Sequence, residues 1–233
     1  MTDTIDAPTP QDVEAATTEL LAALTYGQLR AIEAAANLIA VAPDAGTAAD
    51  AAEVVGYELD AYRALLADLE ARSSTPAALM DGIKPHFDAY FDRAPLGDWF
   101  GASVFFALGL PIAADFAQAI APVLDRRTAA LVTDAIGGRE EQEVSAVEQL
   151  KAQLVDDEAV ERARRLAGDL LGRALTSYQE AMGSTDALKV LFAGAAVAEG
   201  TSAESQVKRL AMEVLTGHRR RTVTLGLEDL DEA

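Results

Sequence analysis

Apolar side chains recur at every third or fourth position along almost the whole chain, and no stretch alternates with the period of two that a half-buried strand requires. The pattern predicts an all-α protein. A first helix opens at Thr9-Pro10, a capping residue followed by proline at the first helical position, and runs to about Val41, where Pro43, Asp44 and Gly46 break it. A second extends from Thr47 to near Arg72. Gly82 and Pro85 fall inside the segment Ala77 to Arg93, which reads as a shorter crossover because proline removes a backbone donor. A fourth helix runs from Gly97-Asp98 to about Ala121, bent or interrupted at Pro111; a fifth, capped by Asp125, reaches about Leu154 with Gly137-Gly138 weakening its middle. The sixth spans Asp157 to Met182, the small-residue stretch Ala193 to Thr201 reads as a loop, and a last helix covers Ala203 to about Leu225.

The first, second, fourth and fifth helices are long, are paired by short turns and have one long connection in the middle. That is the plan of a four-helix bundle with a crossover, with further C-terminal helices packed on it. The expected division is a flexible lead over residues 1–10, one helical domain over 11–227 and an acidic tail over 228–233. Half of the 233 residues are apolar, enough to bury a substantial core.

Charge and composition narrow the chemistry. The chain has 19 basic and 38 acidic residues, a net charge of -19, and such a field repels nucleic acid over most of the surface. It has no cysteine, which removes disulfides, thiolate metal sites and cysteine nucleophiles. The opening MTDTIDAPTPQD is acidic and polar, unlike a signal peptide, so a cytoplasmic location is expected. The most apolar stretch, Gly101 to Val123, is long enough to cross a membrane but carries Pro111, Asp115, Gln118 and Pro122, and reads as a buried helix. No glycine-rich phosphate loop and no Gly-x-Ser-x-Gly elbow is present.

Each of the four long helices nevertheless places an acid in an apolar setting. In the second helix Glu58 lies in the stripe of Val54, Val55, Ala61, Tyr62, Leu65 and Leu69. Asp115 shares a face of the fourth with Leu108, Ile112 and Ala119; Glu33 follows Tyr26, Leu29 and Ile32 in the first; Glu140 aligns with Val132, Ile136, Val144 and Val147 in the fifth, with Glu141 beside it. A buried carboxylate is costly unless it is paired, hydrogen-bonded or metal-bound. Tyr26 and Tyr62 are the nearby hydroxyls that could satisfy Glu58.

The segments LTYGQLRAIEAAANLI (24–39), GYELDAYRALLADL (56–69), GLPIAADFAQAIAPVLD (109–125) and LTGHRRRTVTLGL (215–227) resemble the actinobacterial ferritin-like proteins related to the tRNA hydroxylase that acts on methylthio-isopentenyl-adenosine. The resemblance implies a ferritin-like bundle and, in members with an intact site, a non-haem di-iron centre that activates oxygen. It places Glu33 at the first-helix glutamate, Glu58 at the glutamate of a Glu-x-x-His, Asp115 at the acid of the third core helix, and Gly138 and Glu141 at the second acid and histidine. At the first histidine position the chain has Ala61.

Only His86 and His218 exist in the chain, and neither follows an acid by three residues, so no Glu-x-x-His motif can form. His86 reads as a histidine at the edge of an aromatic cluster, and the HRRR run opened by His218 as a complement to the helix dipole and neighbouring acids. Carboxylates alone hold hard cations, whereas redox iron of this class also uses imidazole. The expectation is a ferritin-like bundle with a degenerate di-metal carboxylate site built from Glu33, Glu58, Asp115, Glu140 and Glu141, with Tyr26 and Tyr62 behind it. It would act by binding or assembly with a protein partner or a second copy, with no catalytic residue assigned and no cofactor. The alternative is a divergent hydroxylase using iron or manganese, with tRNA as a ligand through the resemblance.

Overall fold

The computed structural model describes residues 7–137 and 140–228; the side chains of Glu140, Tyr178 and residues 181–184 also lie outside the description. Of the expected lead and tail, only residues 7–10 and 228 fall within it. The described residues contain helices and no strand. In chain order the helices are α1 (Pro10–Val41), α2 (Ala45–Arg72), α3 (Pro76–Phe91), α4 (Trp99–Val104), α5 (Pro111–Ile120), α6 (Arg126–Val132), α7 (Glu140–Lys151), α8 (Asp157–Ser184), α9 (Ala187–Glu199) and α10 (Ala203–Thr224).

Local chemistry sets most of these boundaries. Thr9 and Asp12 form a reciprocal capping box, with the Thr9 amide donating to Asp12 Oδ2 at 2.9 Å and the Asp12 amide to Thr9 Oγ1 at 3.2 Å. Asp44, Asp98 and Asp125 cap α2, α4 and α6 by accepting from the amides of Thr47, Gly101 and Thr128. The two long apolar runs are not uniform. A π-helical turn, Phe105–Gly109, joins α4 to α5, with the Leu110 amide donating to the Phe105 carbonyl at 2.8 Å. Of the two expected outcomes at Pro111, a bend or an interruption, the run is interrupted: Pro111 opens a new helix, since its missing amide falls where the first turn has no partner anyway. A second π turn, Thr133–Gly137, ends α6 and takes in the first glycine of the pair.

One expected loop is a helix. Ala193 to Thr201 belongs mostly to α9, which continues to Glu199 and ends on Gly200 in the left-handed conformation, φ 66°. Small residues here serve close packing. Leu191, Phe192 and Ala196 are buried, and a Cβ added at Gly194 would lie 3.6 Å from Val13 of α1.

The α1/α2 pair packs against the runs α4–α5 and α6–α7, the crossover α3 lies on α1 and α8, α9 on α1, and α10 on α5. The core divides into two apolar clusters at opposite ends of the bundle. One joins Leu20, Leu21 and Leu24 of α1 to Leu65 and Leu69 of α2, Ile120 of α5, Val132 of α6, and the inner faces of α9 and α10. The other joins Ala34, Ala35 and Leu38 to Ala51, the aromatic residues Phe91, Phe105 and Phe106, and Leu150 and Leu170. The run Trp99–Val123 is apolar enough to cross a membrane by composition, yet 61% of its most apolar window is buried inside this core.

Candidate functional site in the bundle centre

The interval between the two apolar clusters falls near the middle of each long helix, and polar residues occupy it. On α1 the buried stripe is Leu21, Leu24, Gln28, Ala31, Ala35 and Leu38, spaced alternately three and four apart, so Gln28 takes the central place. On α2 the matching stripe is Ala51, Glu58, Ala61 and Leu65. Gln28 and Glu58 are 4% and 2% exposed. Both line a cavity of about 400 Å³ whose opposite wall includes Pro111 and Ala114 of α5 and Glu141 and Glu143 of α7.

Asp115 lies at a similar level but turns to α10. Its carboxylate receives both terminal nitrogens of Arg221, Nη1 at 3.2 Å and Nη2 at 2.5 Å, in a bidentate pair that is almost wholly buried. Burial is the larger effect and pushes the Asp115 carboxyl above the ordinary carboxylate value, although Arg221 pulls it down. The paired geometry is that of a carboxylate held by a guanidinium. Glu143 completes the cluster, 3.5 Å from Arg221 and 3.4 Å from Arg220, and connects the pair to the cavity wall. Gly217 makes the approach possible: a Cβ there would stand 2.4 Å from both Asp115 oxygens. One turn before Arg221, His218 is 6% exposed and hydrogen-bonded to the backbone of Leu108 in the π turn. Its Nδ1 is buried with no hydrogen-bond partner among the described residues, and burial pulls its pKa down.

The expected site residues are thus dispersed. Glu58 and Glu141 share the cavity, Glu141 from an exposed position at its wall. Glu33 does not join them: it is five residues beyond Gln28, which turns it to the outside, where its exposed carboxylate meets Arg30 at 3.2 Å. Asp115 is held by Arg221, and the side chain of Glu140 lies outside the described residues. Tyr26 serves another contact, donating to Asp88 at 2.7 Å and accepting from Lys84 at 2.9 Å, so it ties α1 to α3 rather than supporting Glu58. Tyr62 is half-buried on α2. Among the described residues no three His, Asp or Glu side chains converge as ligands for a metal ion.

Sequence reasoning missed Gln28, Glu143 and Arg221. Gln28 had a readable signal, its place in an unbroken three-four stripe, but a search for acids passes over an amide. Arg221 had none, because its partner lies 106 positions away. The HRRR run accordingly serves the interior in part: His218 and Arg221 are buried, whereas Arg219 and Arg220 are exposed and meet Glu228 and Glu143.

Comparison with known proteins agrees with this architecture. No curated protein matches the chain. A family model described as a ferritin-like domain of actinomycetes matches residues 11–195, which takes in α1 to most of α9 and stops short of α10, the helix that carries Arg221. With four-fifths of its length matched and a wholly helical bundle, the chain belongs to this ferritin-like domain family of actinomycetes.

Proposed function

We propose that this protein is a ferritin-like bundle whose polar centre does not support redox metal chemistry and that it acts by binding. The observation that carries the reading is the bidentate pair between Asp115 and Arg221. Di-metal bundles take one glutamate from each of two helices and a Glu-x-x-His from each of the other two. Here the stripe of α1 supplies an amide, Gln28, Ala61 stands three residues after Glu58, and a fixed guanidinium neutralises Asp115. This donor set does not fit a di-iron centre, since no imidazole is among the described residues that line the cavity and one of its acids is already engaged.

A second reading has one observation in its favour. Glu58 is buried beside a cavity that Glu141 and Glu143 also face, and oxygen ligands alone can hold manganese or iron weakly. That reading is a metal-dependent hydroxylase similar to the tRNA-modifying hydroxylases. The net charge of -19 and the burial of Arg221 of the HRRR run against Asp115 weigh against a tRNA ligand.

Metal content decides between the two. Protein purified after growth with added iron and manganese is expected to hold well under one metal ion per chain, with no change on Glu58→Ala. Near-stoichiometric metal that disappears in Glu58→Ala overturns the first reading and favours the second.

A further inference from the structure

A second cavity, of about 220 Å³, lies between α1, α3, α5 and the helices α8 to α10, and its character differs from that of the first. Leu24, Phe87, Leu188 and Val214, from four different helices, contribute to a wall that is almost entirely hydrocarbon. Tyr90 is part of that wall. Its hydroxyl oxygen is buried and has no hydrogen-bond partner among the described residues; a Cβ added at Gly109 would lie 3.1 Å from it. Buried hydroxyls almost always find partners, so an unpaired one on a residue of the cavity wall is a donor for which the described protein supplies no acceptor. Arg173, on the adjacent α8, acts electrostatically on Tyr90, and its Nε is likewise buried with no acceptor among the described residues. Burial also keeps the phenol in its neutral, donating form. Two neighbouring donors therefore lack the same thing, an acceptor oxygen.

We propose that this cavity binds a medium-chain carboxylate, with the hydrocarbon against the apolar wall and a carboxylate oxygen accepting from the Tyr90 hydroxyl. An apolar cavity of about 150 Å³ holds a six-carbon ring, so about 220 Å³ suits roughly eight to ten heavy atoms. Octanoate has that size. A polar or multiply charged ligand has no counterpart in the wall, where Glu19 and His86 are the other ionisable groups. Ala113 supplies the means of blocking the site. It is exposed although it lies in the middle of a bundle helix, because it faces open space in both cavities, and a larger side chain there displaces no core atom.

This inference rests on the reading of the protein as one that binds, but not on the bundle centre being free of metal. A metal-loaded protein that also takes up octanoate would fail the earlier reading and leave this one intact.

The test is calorimetric titration of the full chain with sodium octanoate and with 1-octanol. Saturable one-to-one octanoate binding is expected, with Tyr90→Phe about tenfold weaker through loss of one hydrogen bond and Ala113→Phe without measurable binding at an unchanged circular dichroism spectrum. Octanol is expected to bind at least tenfold more weakly than octanoate. No saturable octanoate binding by the native protein overturns the proposal. So does native-like affinity in Ala113→Phe, or in Tyr90→Phe should the alanine variant fail to fold, and equal affinity for octanol overturns the assignment of the head group.

Discussion

Replacing Arg221 with methionine removes the guanidinium that faces Asp115 while keeping most of the buried hydrocarbon, and its cost can be worked from the structure. Arg221 is 2% exposed and Asp115 9%, so water cannot take over the role of the lost partner. Breaking a buried pair by deleting one member costs about 3–5 kcal/mol. Protonation sets a ceiling on that loss. Taking a carboxyl from its ordinary pKa of 3.8 to the neutral form at pH 7 costs about 1.4 kcal/mol for each pH unit, or about 4 kcal/mol. The expected destabilisation of Arg221→Met is therefore about 3–4 kcal/mol at pH 7, which for a domain of this size lowers Tm by roughly 10 °C. It should shrink by about 1.5–2.5 kcal/mol at pH 5, where neutralising Asp115 is easier. Urea unfolding at the two pH values, with Asp115→Asn and the double variant completing a cycle, gives the coupling directly. A loss below about 1 kcal/mol at pH 7, or a double variant as unstable as the sum of the singles, refutes the assignment of Arg221 as the counter-charge of Asp115.

Gly217→Ala tests the same contact through its geometry. In an exposed helix interior the change stabilises by about 1 kcal/mol, whereas here the new Cβ meets the Asp115 carboxylate and the expected outcome is a net loss of about 2 kcal/mol or more in denaturant unfolding; a stabilised variant contradicts the packing. His218 gives a pH signature. Its folded-state pKa lies below the ordinary 6.5, so the unfolded chain takes up the proton first, and stability that is intact above about pH 6.5 declines as the pH falls. Asp115 and Glu143 bracket Arg221 on the same face, so the comparison with His218→Gln is needed to isolate the imidazole. Between pH 6.5 and 5.5 the advantage of the native protein over His218→Gln should narrow by up to about 1 kcal/mol, and parallel profiles would remove His218 as the titrating group.

The sequence by itself determined the helices and where most of them begin. Thr9 with Asp12, Asp44, Asp98 and Asp125 act on amides two or three residues away, so the information and the hydrogen bonds it specifies lie in the same short window. The π turns were visible only as an expected bend or interruption and a weak middle, because π and α turns satisfy the same local chemistry and differ in what packs on them. The stretch Ala193 to Thr201 was misjudged because small residues are poor in pattern and rich in ways to pack, and its helix is fixed by burial against α1.

The site depended on tertiary structure. Glu58 was found because its stripe is unambiguous, but Glu33 drew attention through Leu29 and Ile32, and Leu29 and Ile39 prove to be among the exposed apolar residues of α1 while Gln28 faces the centre. An alanine-rich helix presents several faces that could be buried, and only the neighbouring helices select one. The fate of Asp115 was decided still further away, by an arginine 106 positions later on a helix beyond the family match. A charge pair at such separation leaves no periodicity in either segment; it exists only once α10 has folded against α5 and Gly217 has let the two come together.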